Sequence, residues 1–366
     1  MRITAAVTES PGAPFTLSVV DIEPPRADEV LVRIVGAGVC HSDLVARDQW
    51  LPVNLPAVLG HEGSGVGEAV GAGVTQVRPG DHVILAFSWC GACRNCLRGR
   101  PAYCDLFVPA NFFGRRMDGS TPLHRAGEDV GGAFFGQSSF AGHAVCNERN
   151  VVKVPHDLPL ELLGPLGCGT QTGAGAVLNS LRPEAGSSIA VFGAGSVGIS
   201  AVMAAAVAGC TTIVAVDLND QRLALAKELG ATHVVNGSEG DTVGHLRELT
   251  GGVGVEFTLE TTGVPAVLRQ AVDALGQGGT CGLIGVAAPG SEVSLDMLGL
   301  ILGRGVRGIS EGDSVPRIFV PRLLELYRQG RFPFDRLIRT YPLDRINEAV
   351  EDSEKGLTLK PVLTFP

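Results

Sequence analysis

The chain has 366 residues, of which 45% are apolar and 18% charged, and its formal net charge at pH 7 is −9. This balance excludes a disordered chain and predicts roughly two or three domains with buried cores. The acidic charge excludes nucleic acid and anionic membranes as partners, because both select a basic surface. Glycine is unusually frequent, at 50 residues, which indicates many tight turns.

Targeting and membrane signals are weak. The N-terminal residues contain one arginine and no sustained apolar run, so we expect no secretory signal. Residues 185–216 carry no charge, but glycines interrupt the stretch, and we expect a strand, a helix and a second strand there instead of a membrane span. Nine cysteines without a secretory signal favour reduced thiols and a cytoplasmic protein.

The predicted elements change character along the chain. Residues 1 to about 160 contain short strands, for example over 29–39 and 82–87. From about 186 the pattern alternates: strands over 189–192, 212–217, 233–236, 256–260 and 280–286, and helices over 197–208, 220–229, 241–249 and 264–275. This alternation predicts an α/β fold with a doubly wound parallel sheet. A last strand is expected over 362–365.

A glycine-rich turn follows the first strand of this sheet. Gly193, Gly195 and Gly198 form G-x-G-x-x-G between a strand and a helix, where a pyrophosphate can approach free N–H groups. Asp217 ends the second strand, 24 residues after Gly193. A carboxylate there can accept both ribose hydroxyls and repels a 2′-phosphate, which favours NAD over NADP. Arg222 is a candidate neighbour of the adenosine ribose, although a solvated helix face explains it equally well.

Four closely spaced cysteines, which we term the cysteine lobe, predict a structural metal. Their pattern is C-x2-C-x2-C-x7-C, formed by Cys90, Cys93, Cys96 and Cys104. Four thiolates can surround one Zn²⁺ tetrahedrally and leave no open position. A ferredoxin cluster is disfavoured, because its last gap has three residues and ends in Cys-Pro.

A second, looser set of candidate ligands comprises Cys40, His61 and Cys168, which we term the catalytic cluster. Two thiolates and one imidazole leave the fourth position of a zinc ion open to water or substrate. From the residues alone, a hydrogen-bonded histidine and two buried cysteines remain an equal alternative.

Several motifs together resemble the zinc-containing medium-chain alcohol dehydrogenases. Gly60-His61-Glu62, with Gly65, Gly71 and Val74, follows that family's zinc signature. The cysteine lobe, the Cys168 segment, the nucleotide turn and residues 356–365 occur in the family's order, and residues 113–120 resemble its aryl-alcohol (benzyl-alcohol) branch.

The resemblance implies a β-rich, GroES-like catalytic domain formed by residues 1–160 and about 306–366, including the structural zinc lobe at 90–104. A Rossmann domain that binds NAD is expected over about 161–305. Two zinc ions per chain and a homodimer or homotetramer are also implied.

The resemblance also gives roles to single residues. It implies that the catalytic cluster binds zinc, with Glu62 beside the metal and Asp43 orienting His61. Ser42 is expected to take the alcohol proton, and zinc to lower the pKa of that alcohol before hydride transfer to NAD. Expected cofactor contacts, besides Asp217 and Arg222, are His41, Thr172, Gly193, Gly195, Ser196, Val197, Gly198 and Lys360.

One position departs from the family. Many animal and yeast members have a histidine three residues after the relay hydroxyl, where this chain has Val45. The proton relay from Ser42 therefore lacks its usual terminal base, and we expect the proton to leave through ordered water or another group.

Aromatic residues suggest the substrate. Nine of the 19 lie between Phe87 and Phe140. With Trp50, the pair Phe87 and Trp89 is expected to line the substrate pocket, which favours aromatic or terpenoid primary alcohols. For any single phenylalanine of this window, filling the core of the β-rich domain remains an equal alternative. The alternatives are a polyol dehydrogenase, a glutathione-linked formaldehyde dehydrogenase using Arg115 and Arg116, and a catalytically silent NAD-binding protein.

Overall fold

The structure is a computed structural model that describes residues 1–366. It divides into two compact units. The first comprises Met1–Gly169, Val315–Arg322 and Asp335–Pro366, and the second comprises Thr170–Ser314 and Leu323–Phe334. Strands and helices occur in both units, which confirms the predicted α/β class.

The strands, in chain order, are β1 Arg2–Thr8, β2 Thr16–Ile22, β3 Glu29–Gly38, β4 Ala57–Val58, β5 Glu62–Val70, β6 His82–Leu85, β7 Leu123–Arg125, β8 Glu128–Val130, β9 His143–Asn147, β10 Val151–Lys153, β11 Ser188–Phe192, β12 Thr212–Asp217, β13 His233–Asn236, β14 Val255–Glu260, β15 Leu275–Leu283, β16 Gly305–Gly308, β17 Ile338–Pro342 and β18 Lys360–Thr364.

The helices are α1 His41–Arg47, α2 Arg94–Leu97, α3 Phe107–Phe112, α4 Gly169–Gly175, α5 Ser196–Ala208, α6 Asp220–Glu228, α7 Thr242–Glu248, α8 Pro265–Asp273, α9 Met297–Ile301, α10 Pro316–Arg328 and α11 Ile346–Glu354. No helix of the structure is long and apolar enough to cross a membrane.

The first unit is built on two sheets. One has the strand order β4-β1-β2-β7-β8, and the other has the order β10-β6-β5-β3-β18-β17, with β9 also paired to β3. The last strand, β18, lies antiparallel to β3, with Val362 opposite Gly38. This pairing brings residues near the C-terminus next to the segment that leads into Cys40, a docking position that periodicity did not reveal.

The second unit contains one parallel sheet of six strands in the order β13-β12-β11-β14-β15-β16. This is the doubly wound order that binds dinucleotides at the carboxyl ends of its strands. The central strand β11 is apolar and almost fully buried from Ile189 to Phe192, because helices cover both faces of such a sheet. The uncharged stretch over 185–216 forms β11, α5 and β12, as predicted.

Two local predictions have different outcomes. Asn219 caps α6 by accepting hydrogen bonds from the N–H groups of Gln221 and Arg222, which confirms the predicted helix start. Strand β15 begins at Leu275, five residues before the predicted start at 280. Glycine has low strand propensity, so the glycine-rich first half of β15 does not give a recognisable strand pattern in the sequence.

Candidate metal centres and nucleotide turn

The cysteine lobe brings its four sulfur atoms together. Cys93 Sγ lies 3.5 Å from Cys96 Sγ and 4.0 Å from Cys104 Sγ, and Cys90 Sγ lies 3.9 Å from Cys96 Sγ. Tetrahedral zinc with Zn–S bonds of about 2.3 Å places its sulfurs at about this spacing. A hydrogen bond from the Asp105 N–H lowers the pKa of Cys93 to about 6, which favours the thiolate. The sulfur geometry fits one structural Zn²⁺.

The catalytic cluster also comes together, within the first unit. Cys40 immediately precedes α1, His61 immediately precedes β5, and Cys168 immediately precedes α4. Together with Glu62, these residues place their ligand atoms within 4.8 Å of one another. The chain separates these residues widely, and the pairing of β3 with β5, in which Gly38 lies opposite Glu62, places the segments of Cys40 and His61 side by side.

Asp43 fixes the orientation of His61. Its Oδ1 lies 2.8 Å from His61 Nδ1 and accepts a hydrogen bond from Gly60 N at 3.0 Å, while its Oδ2 accepts one from Cys40 N at 2.9 Å. The other ring nitrogen of His61, Nε2, is buried and has no hydrogen-bond partner. Buried nitrogens normally have a partner, and a metal ion bound between His61 Nε2 and the two thiols would supply one. The cluster therefore fits a zinc ion.

The surroundings of Cys40 favour its thiolate. A hydrogen bond with the Cys168 thiol holds the pKa of Cys40 well below its usual range, and the positive charge of Lys360 acts in the same direction against the effect of burial. The thiolate is the form of cysteine that binds metal.

Lys360 has a different partner from the expected one. The resemblance predicts a cofactor contact, whereas Lys360 Nζ donates to Glu62 Oε1 at 3.0 Å and to Oε2 at 2.9 Å, and only 3% of the residue is exposed. Burial lowers the pKa of Lys360, but the charge and hydrogen bond of Glu62 together with the charges of Cys40 and Cys168 more than offset it, so the pKa is raised. The Lys360 ammonium group is therefore paired with a carboxylate. An unpaired buried charge would cost several kcal/mol of stability.

Three further residues support His61, and the sequence did not identify them. Phe134 and Phe135 contact the imidazole ring, and the side chain of Gln137 donates from Nε2 to His61 O at 2.9 Å. The aromatic-rich window between Phe87 and Phe140 includes both phenylalanines, but the sequence does not show that they contact His61.

The nucleotide turn has the predicted shape. Gly193 has φ +95°, a left-handed conformation that favours glycine, and a Cβ on Gly198 would lie 1.8 Å from Gly193 O. A Cβ on Gly195 would meet no atom within 4 Å, so the backbone is open on that side. Asp217 Oδ2 accepts a hydrogen bond from Ala194 N at 2.6 Å, which holds the carboxylate beside the turn. These features fit a dinucleotide.

The remaining cofactor candidates lie on several elements. Ser196 and Val197 open α5, and Arg222 lies in the first turn of α6, with its Nε buried and without a hydrogen-bond partner. Thr172 lies in α4 and donates to Glu311 at 3.5 Å. His41 is exposed at the first position of α1, and Ser42, the expected proton acceptor, follows it.

The three aromatic residues expected at the substrate pocket differ in exposure. Trp50 is 57% exposed, whereas Phe87 is only 1% exposed. The ring of Phe87 packs between those of Trp89 and Phe107, with centroid distances of 5.4 and 6.0 Å. Phe87 is thus a core residue that stabilises the first unit by apolar burial, unlike the exposed Trp50.

The two arginines considered for a glutathione pocket are already paired. Arg116 donates from Nε and Nη2 to the two oxygens of Glu29, at 2.7 and 2.9 Å, and from Nη1 to Glu23 at 2.7 Å. Its side chain is only 9% exposed, so Arg116 is a largely buried member of an ion-pair network. Arg115 pairs with Asp129 at 2.6 Å.

Comparison with known proteins shows the family of this chain. Residues 26–156 match the alcohol dehydrogenase GroES-like domain, and residues 196–326 match the zinc-binding dehydrogenase model. A geraniol dehydrogenase from Castellaniella defragrans is 51% identical, with 99% of this chain and 97% of the relative covered.

Two crystal structures are also very similar. Benzyl alcohol dehydrogenase from Acinetobacter calcoaceticus has 49% identity and a TM-score of 0.97, with 100% of both chains covered. An alcohol dehydrogenase zinc-binding domain protein from Burkholderia ambifaria has 56% identity and a TM-score of 0.98, with 100% of this chain and 99% of that chain covered. These matches confirm the predicted GroES-like and Rossmann folds. The chain belongs to the zinc-containing medium-chain alcohol dehydrogenase family.

Proposed function

We propose that this protein oxidises a primary alcohol to the aldehyde, reversibly, with zinc and NAD. The observation that carries the proposal is the catalytic cluster, in which two thiols surround a buried histidine nitrogen that has no hydrogen-bond partner. A catalytically silent protein on this scaffold has no need for such a cluster in addition to a structural zinc lobe.

The chain's own residues have distinct parts in the proposed reaction. Cys40, His61 and Cys168 are the proposed zinc ligands, and zinc when bound supplies Lewis acidity that lowers the pKa of an alcohol. Asp43 holds the imidazole so that Nε2 points to the cluster. The Ser42 hydroxyl is the proposed acceptor of the alcohol proton, and with Val45 in the next turn the proton passes on to water.

NAD is the proposed hydride acceptor. The backbone N–H groups at the start of α5 are the proposed partners of its pyrophosphate, and Asp217, held beside the turn, is the proposed partner of the ribose hydroxyls. His41, Thr172, Ser196, Val197 and Arg222 are further proposed contacts; Lys360 is the least favoured of the expected ones, because of its pairing with Glu62.

The proposed substrates are benzylic and allylic primary alcohols. The relatives named above are a geraniol dehydrogenase and a benzyl alcohol dehydrogenase. Both of those alcohols carry the CH₂OH group on an unsaturated carbon, and an exposed aromatic ring such as Trp50 suits a planar unsaturated group.

Matched substrate pairs test this proposal. We expect kcat/KM with NAD to be at least about tenfold higher for benzyl alcohol than for cyclohexylmethanol, and higher for geraniol than for its saturated analogue, as a difference of about 1.4 kcal/mol in transition-state binding requires. Equal values within each pair would remove the substrate class while leaving the dehydrogenase assignment intact.

Two alternative substrates are less well supported. A glutathione adduct requires free cationic groups, and both candidate arginines are bound to carboxylates. A polyol requires several polar pocket groups, which the expected aromatic pocket residues, such as Trp50 and Trp89, do not supply. Sorbitol and the formaldehyde–glutathione adduct, measured in the same assay, are expected to react more slowly than benzyl alcohol.

We further propose a cytoplasmic homodimer or homotetramer. Strand β16 is an edge strand of the parallel sheet, and the preceding helix α9 exposes Met297, Leu298 and Ile301 at 75%, 64% and 78%. An edge strand beside exposed large apolar side chains is typical of an interface between subunits. Light scattering of the purified protein would measure the subunit number, and a monomeric mass would contradict the proposed oligomer.

The proposed catalytic domain is 1–160 with about 306–366, and the proposed NAD domain is about 161–305.

A further inference from the structure

The ring of Phe135 lies flat against the imidazole of His61. The ring centroids are 4.4 Å apart and the planes are inclined by 24°, while Phe134 packs edge-on at 5.6 Å and 88°. His61 is completely buried. Its hydrogen bond to Asp43 fixes one ring nitrogen but leaves the ring free to tilt about that bond. A stacked neighbour opposes this tilt, because tilting would drive the imidazole into the face of Phe135.

The backbone reaches this position through an unusual conformation. Phe135 has φ +50° and ψ +30°, in the left-handed region that an aromatic residue rarely adopts. The surrounding contacts hold the segment in place: Gln137 accepts from Gly63 N at 3.0 Å and donates to His61 O, and Ser138 Oγ donates to Val58 O at 2.7 Å. Strained residues that the surroundings over-determine are concentrated at functional sites.

Further aromatic rings pack around Phe135. Phe112 lies 5.5 Å from Phe135, Phe107 lies 5.8 Å from Phe112, and Phe87 lies 6.0 Å from Phe107. Trp89, directly before Cys90 of the cysteine lobe, packs on Phe87 at 5.4 Å. We term these five rings the ring array. Because each ring packs against the next, displacing Phe135 would disturb the packing of its neighbours.

We propose that Phe135 is a positioning residue for the metal ligand His61, acting through ring stacking. Its role is to hold the plane of the imidazole so that the Nε2 lone pair stays directed at the catalytic metal. This inference rests on the proposed zinc site. It predicts that loss of the ring loosens this metal, whereas loss of a ring elsewhere in the array only reduces packing.

The test compares Phe135→Leu with Phe87→Leu, because both remove one buried ring from the same array and only the first ring contacts His61. The catalytic cluster is loaded with Co²⁺, and its visible absorption is followed as a chelator removes the metal. We expect Phe135→Leu to release cobalt about tenfold faster than the wild type and to shift the band positions. Phe87→Leu is expected to match the wild type within about twofold, even where its Tm falls.

Each result decides one claim. Equal release rates and identical bands in the two variants would overturn the role of Phe135. A wild type that takes up no cobalt at Cys40, His61 and Cys168 would overturn the zinc site itself, and this inference with it. If Phe135→Leu does not fold, Phe135→Asn takes its place with the same two outcomes, because asparagine tolerates the left-handed backbone.

Discussion

Lys360 and Glu62 form an ion pair that is enclosed by protein. The lysine donates from Nζ to both carboxylate oxygens, and the side chains are 3% and 0% exposed. Glu62 Oε1 also accepts from Gly169 N at 3.0 Å. The pair joins β18 to the start of β5 across 298 residues of sequence, directly beside the catalytic cluster.

Removing the lysine leaves this carboxylate buried without a counter-charge. Breaking a buried pair on one side costs about 3 kcal/mol, so for a chain of 366 residues we expect Lys360→Met to lower the Tm by roughly 4 °C in calorimetry. Lys360→Met combined with Glu62→Gln removes the unpaired charge and should restore at least half of the loss. A Tm unchanged in the single variant would show that the pair contributes nothing.

The Asp43–His61 hydrogen bond is expected to control metal affinity. Asp43→Asn removes the charge that orients Nδ1, and we expect the affinity of the catalytic metal to fall by about 10- to 100-fold. Equilibrium dialysis against a zinc buffer measures this value. The matched control is Asp48→Asn, an exposed residue at the end of the same helix, which should leave the affinity unchanged. Loss of metal from the cysteine lobe as well would indicate general unfolding instead.

Asp217 is expected to determine the choice between NAD and NADP. Asp217→Gly removes the negative charge that repels a 2′-phosphate, so the ratio of kcat/KM for NADP to that for NAD should rise about 100-fold, or about 2.8 kcal/mol. Steady-state kinetics with both cofactors checks this. Asp220→Asn serves as the control, because Asp220 lies three residues later at the start of α6 and accepts a hydrogen bond from Asn236. An equal loss of activity with both cofactors would contradict the assigned role.

Val45 is expected to determine where the alcohol proton goes. Val45→His introduces a base one helical turn after Ser42, and the new base should accept the proton when its imidazole is neutral. The rate of alcohol oxidation should then rise with pH through about 6.5, a step absent from the wild type. Superimposable pH–rate profiles of the two proteins would count against a relay that starts at Ser42.

The local features of this fold could be predicted because short sequence patterns encode them. The parallel strands were visible as apolar runs of the right length, and the nucleotide turn as three glycines at fixed spacing before a helix. The cysteine lobe was equally accessible, because Cys90 and Cys104 enclose all four ligands in fifteen residues. In each case the interacting groups are neighbours in the chain.

The features that escaped prediction depend on contacts between distant segments. Nothing near Lys360 in the sequence indicates Glu62 as its partner. A lysine at that position is equally compatible with a contact to the cofactor and with a buried ion pair. Phe135 and Phe87 belong to the same aromatic-rich window, yet one contacts a proposed metal ligand and the other fills the core. Periodicity reports which face of an element is apolar, but it does not report what that face meets.

The most direct test is to measure zinc content and NADH formation from benzyl alcohol in the wild type and in Cys168→Ser. We predict two zinc ions per chain and NADH formation in the wild type, against one zinc ion and a loss of activity of at least about a thousandfold in the variant. A variant that keeps both its second zinc ion and its activity would contradict the proposed catalytic centre.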